Sequence, residues 1–230
     1  MKRVLLLQNS ALETFGAYSL ELEERGIQTT LIRVFAGEIP PNPSSWDAMI
    51  VGGTPLPALR IESDRRLAFG LHAMCLAIDA NVPCFGVCCG GQMLARLLGG
   101  RVTRLPEMEI GSVVLRLTEA GRHAHAFRGF PDHFPTFQWH SDVFEPPDRA
   151  AVLVEGGAWP VQAFEYGGHL GVLFHLEYGE HEISRWADAY RGELATAGIS
   201  RHTLLTECAA NVERMQELAR KLVGNFMDGV

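Results

Sequence analysis

Four short runs constrain this chain more than anything else in it. Val4–Leu7, Thr30–Ile32, Ala48–Val51 and Cys84–Val87 are continuous in apolar or β-branched character rather than alternating. Such a strand has no face to give to water, which predicts parallel strands covered by helices on both sides. Between the last two runs, Leu67, Leu71, Met74 and Ile78 recur at helical spacing, and Ser63 and Asp64 stand where a helix cap belongs. The rhythm is βαβ.

The segment Ile39–Ser45 is rich in proline but reads as a surface loop, because strand character resumes at Ala48. From Glu109 to Phe174 the β-like pieces are shorter: Ser112–Leu117, Ala150–Val154, Val161–Phe164 and Leu170–Phe174, with Gly and Pro turns between them. The last fifty residues carry two apolar helical stripes separated by Gly198. One stripe is Ile183, Trp186, Tyr190 and Leu194; the other is Leu205, Cys208, Val212, Met215, Leu222 and Phe226. A length of 230 residues with 47% hydrophobic content can bury a sizeable core. The expectation is one α/β domain over residues 1–230. It has a flavodoxin-like, mixed but mainly parallel sheet, helices on both faces, and a helical C-terminal appendage over 182–228.

A formal charge of −7 argues against nucleic acid or an anionic membrane surface as partner. No apolar run reaches the ~18 residues of a membrane span, and the apolar start is too short for a signal-peptide core. The chain therefore reads as cytoplasmic. Five scattered cysteines without a CxxC pair indicate neither a disulfide framework nor a zinc knuckle.

One strand leads directly into chemistry. Cys84–Val87 runs into Cys88-Cys89-Gly90-Gly91-Gln92 and then a helical Met93–Leu98. A nucleophile flanked two residues either side by glycine, between a strand and a helix, is the nucleophile-elbow arrangement, here with Cys for Ser. Only Cys88 has both glycines, Gly86 and Gly90. The helix N-terminus behind it is expected to favour a thiolate and to supply N–H groups for an oxyanion.

A base is available further on. The buried-strand run Leu170–Phe174 ends in His175-Leu176-Glu177, and a carboxylate two residues from a histidine can fix its tautomer. His175, Glu177 and His181 match no familiar zinc spacing. Gly52-Gly53 ends the third apolar run at the same carboxyl edge, where ligands bind in doubly wound sheets.

Together these pieces resemble the class I, Cys-His-Glu glutamine amidotransferases. The family's Gly-x-Cys-x-Gly-x-Gln is met by Gly86 to Gln92, its His-Pro-Glu by His175-Leu176-Glu177, and its oxyanion turn by Gly52-Gly53. Glu109–Gly111, Leu117–Gly121, Phe137–Asp142 and Gln162–Phe164 are similar to a stand-alone branch related to the glutaminase part of GMP synthase. Leu176 replaces the usual proline, which should loosen the backbone between base and carboxylate. Cys89, Gly91 and Thr54 are further departures.

The resemblance implies hydrolysis of a glutamine-type amide through a thioester on Cys88. His175 would act as acid and base and Glu177 as its orienter. Gly53 and Cys89 N–H groups would hold the oxyanion, with substrate-binding positions at Gly52, Gly90, Gln92, Trp139 and His140. No metal or organic cofactor is needed for that half-reaction. Family members usually pass ammonia to a synthetase; without a P-loop or pyrophosphatase signature here, the acceptor would be on another chain. The alternatives are a stand-alone γ-glutamyl peptide or amine hydrolase with the same triad, and a non-catalytic binding or regulatory member of the fold.

Overall fold

The computed structural model describes residues 1–230, the side chains of Glu62 and Arg66 excepted. In chain order the strands are β1 (Arg3–Gln8), β2 (Gln28–Arg33), β3 (Ala48–Val51), β4 (Cys84–Val87), β5 (Arg101–Leu117), β6 (His133–Glu145), β7 (Ala151–Glu155), β8 (Ala163–Tyr166) and β9 (His169–Val172). The helices are α1 (Gly16–Glu24), α2 (Arg65–Asp79), α3 (Cys89–Leu97), α4 (Glu119–His123), α5 (Glu180–Ala189), α6 (Arg191–Thr196), α7 (Arg201–Ala209) and α8 (Val212–Asp228). The strands form one sheet in the order β2-β1-β3-β4-β9-β8-β7-β5-β6. Pairings from β2 through β9 are parallel and those from β9 to β6 antiparallel. This is an α/β fold with a mixed sheet, as the sequence requires.

The continuous apolar runs are explained by two cores, one on each face. Val4 and Leu6 of β1 and Ile50 of β3 join Tyr18 and Leu22 of α1 and Leu222 and Phe226 of α8. Leu5, Leu7, Met49 and Val51 join Leu67 and Met74 of α2 and Met93 and Leu94 of α3 on the other side. Each of these strands must be apolar at every position, because successive side chains enter opposite cores.

Two strand readings are corrected. Thr30–Ile32 is not covered on both faces: β2 is an edge strand, with Leu31 exposed and only Thr30 and Ile32 half-buried. The piece read as Ser112–Leu117 is the end of the much longer β5, which pairs antiparallel with β6 from Arg101↔Glu145 to Arg116↔His133. β6 then folds back on the chain beyond β9. Phe137 N–H donates to the His175 carbonyl at 2.9 Å, and His175 N–H to the Phe137 carbonyl at 2.8 Å.

The two C-terminal stripes lie on four helices. Ile183 and Trp186 of α5 and Leu194 of α6 are buried, as are Cys208, Met215, Leu222 and Phe226 farther on, whereas Leu205 is only partly so. Among the described residues no helix is long and apolar enough to cross a membrane.

Candidate active site

Cys88 is the residue between β4 and α3, with φ 53° and ψ −113°. A side chain seldom tolerates that backbone, and the surroundings over-determine it. Its N–H donates to the Val172 carbonyl of β9 at 2.8 Å. A Cβ on Gly86 would stand 2.4 Å from the Gly90 carbonyl oxygen, and one on Gly90 2.1 Å from that of Val51. The flanking glycines are therefore required by chain-to-chain approach, and Gly90 serves packing against β3. The two adjacent thiols part ways: Cys88 belongs to the core under α1 and α8, Cys89 to the one under α2 and α3.

The thiol's ionisation departs from the expectation. Burial, then the charge of Glu13 and the neighbouring Cys89, push the Cys88 thiol well above its ordinary range; the Cys89 N–H at the start of α3 pulls the other way and loses. Desolvation outweighs the helix terminus. The direction is toward the thiol rather than the thiolate.

His175 follows β9, the strand paired with β4, so it leaves the same carboxyl edge as Cys88. It is wholly buried, and its ring Nδ1 lies 2.7 Å from Glu177 Oε1. Its Nε2 is buried without a hydrogen-bond partner among the described residues. An imidazole held on one side and free on the other is poised to exchange a proton at Nε2. Leu176 does not slacken this segment. Its N–H, which a proline would lack, donates to Glu177 Oε2 at 2.9 Å. Tyr18 and Tyr178 are buried beside that carboxylate; burial and then its charge push both phenols well above their usual range.

A cavity of about 70 Å³ opens over Cys88. Gln92, Trp139 and His140 line it. Gln92 already donates its Nε2 to the Asp142 carbonyl, and His140 Nε2 lies 3.0 Å from Gln138 Oε1 and 3.2 Å from Glu109 Oε2. Burial works against the Glu109 charge, but His140 and the Ala158 N–H hold its carboxyl below the ordinary range. Gly52 and Gly90 do not line the cavity. Gly52 is tied into the sheet, its N–H donating to the Leu7 carbonyl at 3.0 Å and its own carbonyl accepting from Asn9 at 2.8 Å. Gly53 does reach Cys88: a Cβ there would lie 3.4 Å from Cys88 Cβ.

Sequence reasoning missed several wall residues. Trp186 and Tyr190 were legible only as an apolar stripe, yet both line the cavity. Asp142 sits in the same strand motif as His140, and Arg104 pairs with it at 2.7 Å. Glu13 and Glu193 also line it. Glu13 carried no signal at all, since nothing in a loop after a strand distinguishes a buried carboxylate from a solvated one.

A doubly wound sheet with a strained cysteine at the β4–α3 turn and a carboxylate-held histidine on the next strand defines a class of cysteine amidohydrolase. The family model for class-I glutamine amidotransferases matches residues 20–182, and the chain belongs to that family. It is 32% identical over 202 residues to YfeJ, a glutamine amidotransferase-like protein of Salmonella typhimurium, covering 85% of this chain and 84% of that one. It is 29% identical over 175 residues to gamma-glutamyl peptidase 5 of Arabidopsis thaliana, 72% of this chain and 68% of the relative. A glutamine amidotransferase structure from Thermotoga maritima superposes with a TM-score of 0.88 at 28% identity, across 99% of this chain and 98% of its own. Over shorter spans the chain also matches glutamine-hydrolysing GMP synthases.

Proposed function

We propose that the chain cleaves the γ-amide of glutamine or of a γ-glutamyl compound through a thioester on Cys88. The observation that carries this reading is the pairing of a strained, cavity-lining thiol with a neighbouring-strand histidine whose Nδ1 is held and whose Nε2 is free. The Cys88 proton passes to His175 Nε2 as sulfur bonds to the amide carbon. Gly53 and Cys89 N–H groups take the oxyanion. The proton then goes to the leaving nitrogen, the C–N bond breaks, and ammonia or an amine departs. Water gives its proton to His175 and attacks the thioester; the C–S bond breaks and sulfur recovers the proton. Glu177 stabilises the imidazolium in both halves.

In this reading ammonia passes to an acceptor on another chain, since no phosphate-binding glycine loop stands in this sequence. A second reading, in which water is the final acceptor and a γ-glutamyl peptide or amine is the substrate, is favoured by the likeness to gamma-glutamyl peptidase 5.

Labelling with a glutamine-like chloroketone, followed by peptide mapping, is expected to place the adduct on Cys88. Label on Cys89, or on neither, would overturn the nucleophile. Ammonia or amine release from glutamine and a panel of γ-glutamyl compounds then separates the two readings. Rapid turnover of glutamine alone, without response to a partner synthetase and without γ-glutamyl peptide cleavage, would refute both.

A further inference from the structure

Glu13 lies in the loop that leaves β1, beside the crevice where the strand order reverses between β1 and β3. It is 3% exposed and lines the cavity, and no hydrogen bond to its carboxyl is made among the described residues. A Cβ on Gly53 would stand 2.3 Å from its Oε2, so the carboxyl flanks the same point of the chain as Cys88. The amide-cleavage steps leave it without a role. A buried carboxylate with no cation is costly, and one beside a developing oxyanion opposes the chemistry.

The rest of that wall is made for positive charge. Glu193 lines the same cavity and accepts a hydrogen bond from Trp139 Nε1 at 2.6 Å. The Trp139, Trp186 and Tyr190 rings are mutual neighbours, with centroids 5.9, 5.7 and 5.9 Å apart, and all three line the cavity. Ring faces are electron-rich and attract cations, ammonium groups included. The arginine in that lining, Arg104, is bonded to Asp142.

We propose that Glu13, with Glu193 and the rings of Trp139, Trp186 and Tyr190, receives a primary ammonium group of the substrate. This deepens the amide-cleavage reading and rests on it for the identity of the ligand. The ammonium is either the α-ammonium of the γ-glutamyl unit or one carried by the leaving amine. Its arrival neutralises the charge that, after burial, most raises the Cys88 thiol.

The test needs no turnover. In the Cys88→Ala protein, calorimetry measures binding of L-glutamine, its deamino analogue glutaramic acid, γ-glutamyl-1,4-diaminobutane and γ-glutamyl-butylamine. The same four are measured with Glu13→Gln added, and with Glu193→Gln as a second background should the first fail to fold. Removing the recognised ammonium is expected to weaken binding at least ~10-fold, the scale of one hydrogen bond to a charged group, and the difference should fall below ~3-fold with Glu13→Gln. The glutamine pair reports the α-ammonium, the diamine pair the leaving side. Equal affinities within both pairs, a difference that survives Glu13→Gln, or no binding of any of the four would overturn the receptor. Failure of the amide-cleavage reading shows separately, as absent labelling or amide cleavage in the unsubstituted protein.

Discussion

Replacing Cys88 by glycine should leave the protein about as stable as replacing it by alanine. Both variants lose the thiol, so their comparison isolates the Cβ at φ 53°, ψ −113°. Elsewhere the same exchange is harmful. In α3 itself, Ala95 is fully buried, and Ala95→Gly gives up ~1 kcal/mol of helix propensity and ~0.8 kcal/mol of methyl burial, together near 2 kcal/mol. At position 88 the loss of backbone entropy and the methyl count equally, but glycine relieves a backbone strain of ~1–3 kcal/mol, which cancels most or all of the deficit. In a chain of this size 2 kcal/mol moves Tm by roughly 4–8 °C, well within the reach of calorimetry. The expected result is that Cys88→Gly melts no more than a degree or two below Cys88→Ala. The reasoning fails if it melts lower by as much as Ala95→Gly melts below the unsubstituted protein.

Glu177→Gln should reduce single-turnover amide cleavage by ~10²-fold, against ~10³-fold or more for Cys88→Ala and His175→Ala, since packing still holds the ring; equal losses with intact folding would give Glu177 a chemical role beyond orientation. Leu176→Pro restores the family's residue but removes the donor to Glu177 Oε2, and should cost about 2 kcal/mol, or roughly 4–8 °C in Tm; an unchanged melting temperature would show that the bond contributes nothing. Burial, then the charges of Glu177 and Glu193, raise the Glu13 carboxyl well above 4.5, so the folded state holds its proton to higher pH than the unfolded one. Stability is lost as pH rises from about 4.5 through the folded value. Glu13→Gln should thus raise Tm at pH 7 and above, with the gain vanishing below pH 4; a gain independent of pH would contradict the burial of an ionised group.

What could be read from the sequence follows from where each segment sits. β3 and β4 were legible to the residue because a strand covered on both faces must be apolar throughout. β5 was not: Arg101–Met108 is mostly exposed or half-buried, contains Pro106, and pairs with residues more than thirty positions away. The turn at Cys88 was legible because close chain approach admits only glycine at positions 86 and 90. The thiol's ionisation was not, because burial and Glu13 are properties of the assembled fold. The resemblance points to His175 and Glu177, whose side chains stand 2.7 Å apart, but what Leu176 contributes is an N–H that no comparison of side chains could reveal. Glu13 marks the limit: its importance lies wholly in what stands around it.

The pairing of β6 with the chain beyond β9 has a bearing on synthesis. Cys88 and its glycine turn emerge early from the ribosome, whereas the backbone of His175 is bonded to Phe137, in a strand that pairs along β5. Chains grow at ~5–20 residues per second, so for several seconds the nascent protein carries Cys88 without His175. Closure of the Phe137–His175 bridge then sets the backbone of His175 against β6. In the proposed reaction, amide cleavage by a nascent chain therefore waits until the β5–β6 hairpin has found its register.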